Sequence, residues 1–191
     1  MEKTDADDRE LQLKIDQYGE MLFKLSYIRL QNVQDAEDVV QEVFYRYLKA
    51  GQIFQSPEHE KAWLLKVTLN TCRKVWRSAW KRRRDPWGQE DIAQEGMQTG
   101  SLGPAQEACR GSAAGEPEEL VVSREERRRL LEAVLSLPEK YRDVIHLFYY
   151  EELSVKEIAR VTGRGESTVT SQLTRGRELL RRSLKEEYDF G

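Results

Sequence analysis

Residues 153 to 182, LSVKEIARVTGRGESTVTSQLTRGRELLRR, constrain this chain more than any other stretch. Ser154 with Glu157 three positions later starts a helix as a capping box, and Val155, Ile158, Ala159 and Thr162 then share one helical face. That predicts a first helix of about two turns. Gly163 and Gly165 interrupt it, because glycine accepts the backbone angles of a tight turn. Ser167 or Thr168 can cap a second helix that turns Val169, Leu173, Gly176 and Leu180 inward. Two short helices around a glycine turn read as a helix-turn-helix. The outer side of the second helix carries Thr168, Ser171, Gln172 and Arg175, with Arg182 further along. Short hydrogen-bonding groups beside a guanidinium suit a major groove, where base edges and phosphates must be met together.

The rest of the chain supplies a second cationic surface and very little else that is chemically reactive. Its 191 residues suit two domains, and the net charge of −3 hides a sharp internal division. Residues 1–84 hold 16 Lys or Arg against 13 Asp or Glu, residues 85–119 hold 1 against 8, and residues 120–191 hold 14 against 13. Glycine, proline and acidic residues crowd the middle stretch without apolar periodicity, which predicts a flexible acidic linker. No apolar run reaches the roughly 18–20 residues of a membrane span, and the start of the chain is acidic. Cys72 and Cys109 are too few and too far apart for a disulfide framework, so the expected home is the cytoplasm.

In the first lobe, Leu11, Ile15, Tyr18, Leu22, Leu25 and Ile28 predict an amphipathic helix. Asp35 can cap a second helix that Gly51 stops, and its polar side shows Asp38, Gln41 and Glu42. A loop with Phe54 leads to Ser56 and Pro57, a cap and first-turn pair for a third helix. Ala62, Leu65, Leu69, Cys72, Trp76 and Ala79 form its expected buried stripe. Lys66, Asn70, Arg73, Lys74, Arg77 and Lys81 form a basic side, with Trp80 among the cations near the helix end. Cations at that density neutralise phosphates, and an aromatic ring offers unpaired bases a stacking surface. In the second lobe, Leu130, Leu131, Val134 and Leu135, and then Tyr141, Val144, Ile145 and Phe148, predict two further helices. The fold class is therefore all-α, two small helical domains joined by a flexible acidic linker.

Catalytic signals are missing. His59 and His146 have no second ligand at metal spacing, no phosphate-binding glycine loop occurs, and Glu151-Glu152 read as exposed carboxylates at a helix edge. Binding is expected rather than catalysis, with no cofactor and no small-molecule substrate.

DAEDVVQEVF at 35–44, the basic AWLLKVTLNTCRKVWRSAWKRRR at 62–84, and LPEKYRDVIHLFYYEELSVKEIA leading into the helix-turn-helix occur in that order. Together they resemble the extracytoplasmic-function group of the sigma-70 family of RNA polymerase sigma factors. The resemblance implies that residues 1–84 bind core RNA polymerase and open the minus-10 element of promoter DNA, and that residues 120–191 read the minus-35 element. It implies that Asp38, Val39, Gln41 and Glu42 dock on the polymerase. Phe54 and Asn70 would hold a flipped base, with Lys66, Arg73, Lys74, Arg77, Trp80 and Lys81 along the opening strands. Arg164, Ser167, Thr168, Ser171, Gln172 and Arg175 would meet the minus-35 duplex. A membrane-anchored anti-sigma factor is the implied restraining partner. Gly163-Arg164-Gly165 and Thr170-Ser171-Gln172 depart from the proline-glycine turn and arginine-rich helix of many members. A free-standing helix-turn-helix regulator is the alternative reading, and affinity for core polymerase without DNA separates the two.

Overall fold

The computed structural model describes the backbone over residues 2–51, 53–84 and 124–188, and side chains over residues 9–51, 53–78 and 126–185. Seven helices and no strand occur among the described residues. They are α1 (Glu2–Leu30), α2 (Val33–Ala50), α3 (Pro57–Arg84), α4 (Arg124–Ser136), α5 (Glu139–Tyr149), α6 (Val155–Thr162) and α7 (Glu166–Tyr188). Helices α1–α3 form one lobe and α4–α7 the other. The expected linker at 85–119 and the side chains of Ala79, Trp80 and Lys81 lie outside the described residues.

Local signals act close to where the sequence puts them. Asn32, rather than the expected Asp35, caps α2: its side chain accepts the amide of Asp35. An amide oxygen one step before the helix reaches the third orphan N–H, which Asp35 inside the first turn cannot do for itself. Gly51 ends α2 in the left-handed region, at φ 52°. Ser56 accepts the amide of His59 at the start of α3.

Two apolar cores result. Tyr18, Leu22, Val39, Val43, Phe44, Leu64 and Cys72 fill the first lobe. Glu60, buried beneath them, ties the three helices together by accepting from Lys14 (2.7 Å), Tyr18 (3.1 Å) and Tyr47. Burial together with the bond to Glu60 pushes the Tyr18 phenol up to about 12. The second core crosses between lobes: Leu25, Leu65 and Leu69 pack with Leu137, Val144, Leu147, Ile158 and Val161. Each leucine removed from water here stabilises the closed arrangement by about 1.5–3 kcal/mol.

Helix α3 is thus buried on two sides, a consequence of lying between the lobes. Leu64 belongs to the first core, whereas Leu65 and Leu69 belong to the shared one. The expected stripe is correct as far as Cys72, but Trp76 one turn later is 54% exposed. Periodicity marks a side of a helix, while burial also needs a neighbour alongside it.

Polar links reinforce the contact between lobes. Arg142 donates to the carbonyl of Ile28 at 2.7 Å, and Arg29 pairs with Glu139 and with Asp143. Lys61 pairs with Glu151 at 3.0 Å and also donates to its carbonyl. Glu151 is therefore a buried partner in an ion pair, not the exposed edge carboxylate its position suggested.

Candidate nucleic-acid interface

The helix-turn-helix is α6, the Gly163 turn and α7. Its capping box is complete: the Ser154 amide donates to Glu157 at 2.8 Å, and the Glu157 amide donates back to the Ser154 hydroxyl. Gly163 takes φ 69°, where a side chain would be strained. Helix α7 begins at Glu166, so Ser167 and Thr168 lie inside its first turn instead of capping it. Gly165 holds the cap position, and its carbonyl accepts the first intrahelical bond from the Val169 amide at 3.0 Å.

Inward, Val169 and Leu173 are buried, and Gly176 lets α7 close on α5. A Cβ at Gly176 would sit 2.9 Å from Cγ1 of Ile145. Outward, Ser167, Thr168, Ser171 and Arg175 are exposed and Gln172 is half-buried. With Lys140 and Tyr141 they line an open groove of about 340 Å³. Lys140 and Tyr141 were not legible as members of this surface, because α5 brings them there from about 30 residues upstream. The Lys140 ammonium rests over the Tyr141 ring at 4.9 Å. Arg164, half-buried, spans the base of the turn: it donates to Gln172, to Asp143 and to the carbonyl of Lys140.

On the first lobe, Lys66, Asn70, Lys74 and Arg77 are exposed along α3. Arg73 differs from the basic side proposed for it. It is half-buried between lobes, donating to Asn70 at 3.0 Å and to the carbonyl of Thr162 at 3.4 Å, and burial lowers its pKa. Phe54 stacks on Tyr47 (centroids 5.8 Å) and meets Trp63 and His59 edge-on. The loop aromatic is held by a cradle of three rings, two of them on α3.

Helix α2 presents Asp38 and Gln41 to solvent, and Glu42 is paired with Arg46 at 2.6 Å. Val39 is 1% exposed and packs in the first core, so it anchors α2 and offers no docking surface, contrary to the expectation. Tyr45, four residues on from Gln41, and Leu48, three on from Tyr45, share that side of α2 and are exposed instead. Apolar side chains at helical spacing beside carboxylates suit a protein partner more than a solvated face.

Among the described residues no group of three or more His, Cys, Asp or Glu could hold a metal ion. No described helix is long and apolar enough to cross a membrane.

An all-helical protein with a basic helix in one lobe and a helix-turn-helix in the other belongs to the DNA-binding class. Its two halves match family models for sigma-70 region 2 over residues 15–82 and sigma-70 region 4 over residues 127–180. The chain is 32% identical over 173 residues to the ECF RNA polymerase sigma factor SigW of Bacillus subtilis, covering 90% of this chain and 87% of that one. It is 31% identical over 147 residues to the ECF RNA polymerase sigma-E factor of Escherichia coli, covering 76% and 72%. The fold is shared with the sigma factor RpoE of Bartonella quintana, solved with the anti-sigma factor NepR, at a TM-score of 0.64 and 20% identity, covering 93% of this chain and 98% of that one. CnrH, solved with the cytosolic domain of CnrY, has a TM-score of 0.59 and 21% identity, covering 94% and 90%. The chain belongs to the extracytoplasmic-function sigma factors of the sigma-70 family. It binds core RNA polymerase and directs initiation at promoter DNA.

Proposed function

We propose a division of labour between the lobes of this sigma factor. Residues 120–191 read the minus-35 duplex through Ser167, Thr168, Ser171, Gln172 and Arg175, with Arg164 behind them. Residues 1–84 bind the polymerase through Asp38, Gln41 and Glu42 on α2, and hold the minus-10 strands through Lys66, Asn70, Lys74 and Arg77 on α3. Phe54 and its aromatic cradle receive the base that leaves the stack. Flipping a base costs a few kcal/mol, which a preformed ring surface returns by stacking. The observation that carries this reading is the outward polar face of α7 lining an open groove while its other face is closed against α5.

No bond is made or broken by the chain in this scheme; the polymerase does the chemistry. The cytoplasm is its place of work, and an anti-sigma factor is its restraining partner. The latter is supported by the solved relative from Bartonella quintana, captured with an anti-sigma factor. The test pairs two sets of variants in transcription with purified core enzyme. Asn70→Ala or Arg175→Ala should cut promoter-specific initiation while core binding persists. Asp38→Ala with Gln41→Ala should weaken core binding, and initiation with it, while duplex binding by isolated residues 120–191 persists. Loss of core binding in the first set, or of that duplex binding in the second, would sink the division.

A further inference from the structure

Arg164 joins Gln172 on α7 to Lys140 and Asp143, which lie one turn apart on α5. Its Nη2 donates to Oδ2 of Asp143 at 3.2 Å, and its Nη1 donates to the Lys140 carbonyl at 3.2 Å and to Oε1 of Gln172 at 3.0 Å. Asp143 is fully buried and in the closed arrangement also takes Nη1 of Arg29 from the first lobe at 3.3 Å, but its pairing with Arg164 is made within residues 120–191 and does not need that contact. A guanidinium has five donors and no acceptor. The Gln172 amide must therefore turn its oxygen toward Arg164 and its NH₂ away.

We infer that Gln172 reads its base as a donor, so that the minus-35 position it faces favours guanine and rejects cytosine. Asp143 and Arg164 are the positioning residues. This rests on the assignment of α7 to the minus-35 duplex made above. An unrestrained glutamine pairs with adenine by accepting from N6 and donating to N7. Here the oxygen is engaged, and its remaining lone pair lies beside a full positive charge that repels an incoming amino group. Guanine offers two acceptors, N7 and O6, to the NH₂ group. Adenine and thymine each offer one, and the cytosine edge offers an N4 donor.

The test uses the full chain with core RNA polymerase on promoters randomised across the minus-35 element, with transcripts counted for each sequence. Gln172→Ala identifies the position concerned as the one whose preference collapses. In the unmodified protein, guanine there should exceed cytosine by about tenfold or more. Arg164→Met releases the oxygen and should raise adenine several-fold relative to guanine at that position only. Loss of a phosphate contact would instead lower all sequences alike. Asp143→Asn should move the same position in the same direction, but it also loosens the pairing with Arg29, so Arg164→Met is the deciding variant. Adenine already preferred by the unmodified protein, or a preference unchanged by Arg164→Met, overturns the inference while leaving minus-35 reading intact. Absence of any base preference across the element overturns both.

Discussion

Gly176 shows how a single residue sets the position of the reading helix. A methyl group there would press 2.9 Å from Ile145 Cγ1 and 3.2 Å from its Cδ1. Overpacking of this kind costs about 1–3 kcal/mol, and the better helix propensity of alanine returns about 1 kcal/mol. Gly176→Ala should therefore destabilise the protein by about 1 kcal/mol in urea unfolding, and it should weaken minus-35 binding by tilting α7 against α5. Cys72 illustrates the opposite case, a reactive group made inert. Burial pushes its thiol up to about 11, so alkylation near pH 8 should be slow until the chain is unfolded. Both residues were placed correctly by helical spacing, Gly176 inward on α7 and Cys72 on the buried side of α3. Trp76 was not, because spacing says which side of a helix a residue occupies and nothing about what lies beside it; the docking role of Val39 came from the family resemblance and not from spacing.

At the scale of the element, capping and glycine signals located the helices closely, whereas the make-up of their working faces depended on neighbours. The exposed side of α2 was read as an acidic and amide cluster, yet Tyr45 and Leu48 stand on it at more than half and half exposure. Large apolar groups carry binding energy when a partner desolvates them. Tyr45→Ala with Leu48→Ala should weaken core polymerase binding by tenfold or more, with helicity and unfolding midpoint little changed. The groove beside α7 gains a second cation, Lys140, from α5 to set beside Arg175 of α7. Replacing Lys140 by alanine should weaken duplex binding uniformly across sequences and reduce the salt slope by about one.

The whole molecule is closed, with α3 held between the lobes and a core that belongs to both. Promoter elements named for positions about 25 base pairs apart lie roughly 85 Å apart at 3.4 Å per pair. Lobes that share a core cannot span that distance, so dyes placed on α2 and α7 should move apart when the chain binds core enzyme and promoter. Acid should loosen the same contact. Desolvation by burial raises the Glu151 carboxyl, but the His146 imidazole 3.5 Å away and the ion pair with Lys61 outweigh it and hold it below the ordinary 4.5. A lowered folded-state pKa contributes stability that is present above 4.5 and is lost as pH falls through the folded value. The dye separation should accordingly rise below that range, and Glu151→Gln should flatten the response. What the amino-acid order determined alone was local: where helices start and stop, which turn bends, and that one lobe is basic along α3 and the other polar along α7. Backbone propensity, capping and side-chain period act over a few residues and need no distant partner. Burial of Glu151, the anchoring of Arg164 on Asp143, and the arrival of Lys140 beside α7 were decided only by packing, since each depends on residues that chain distance keeps apart and an apolar core brings together.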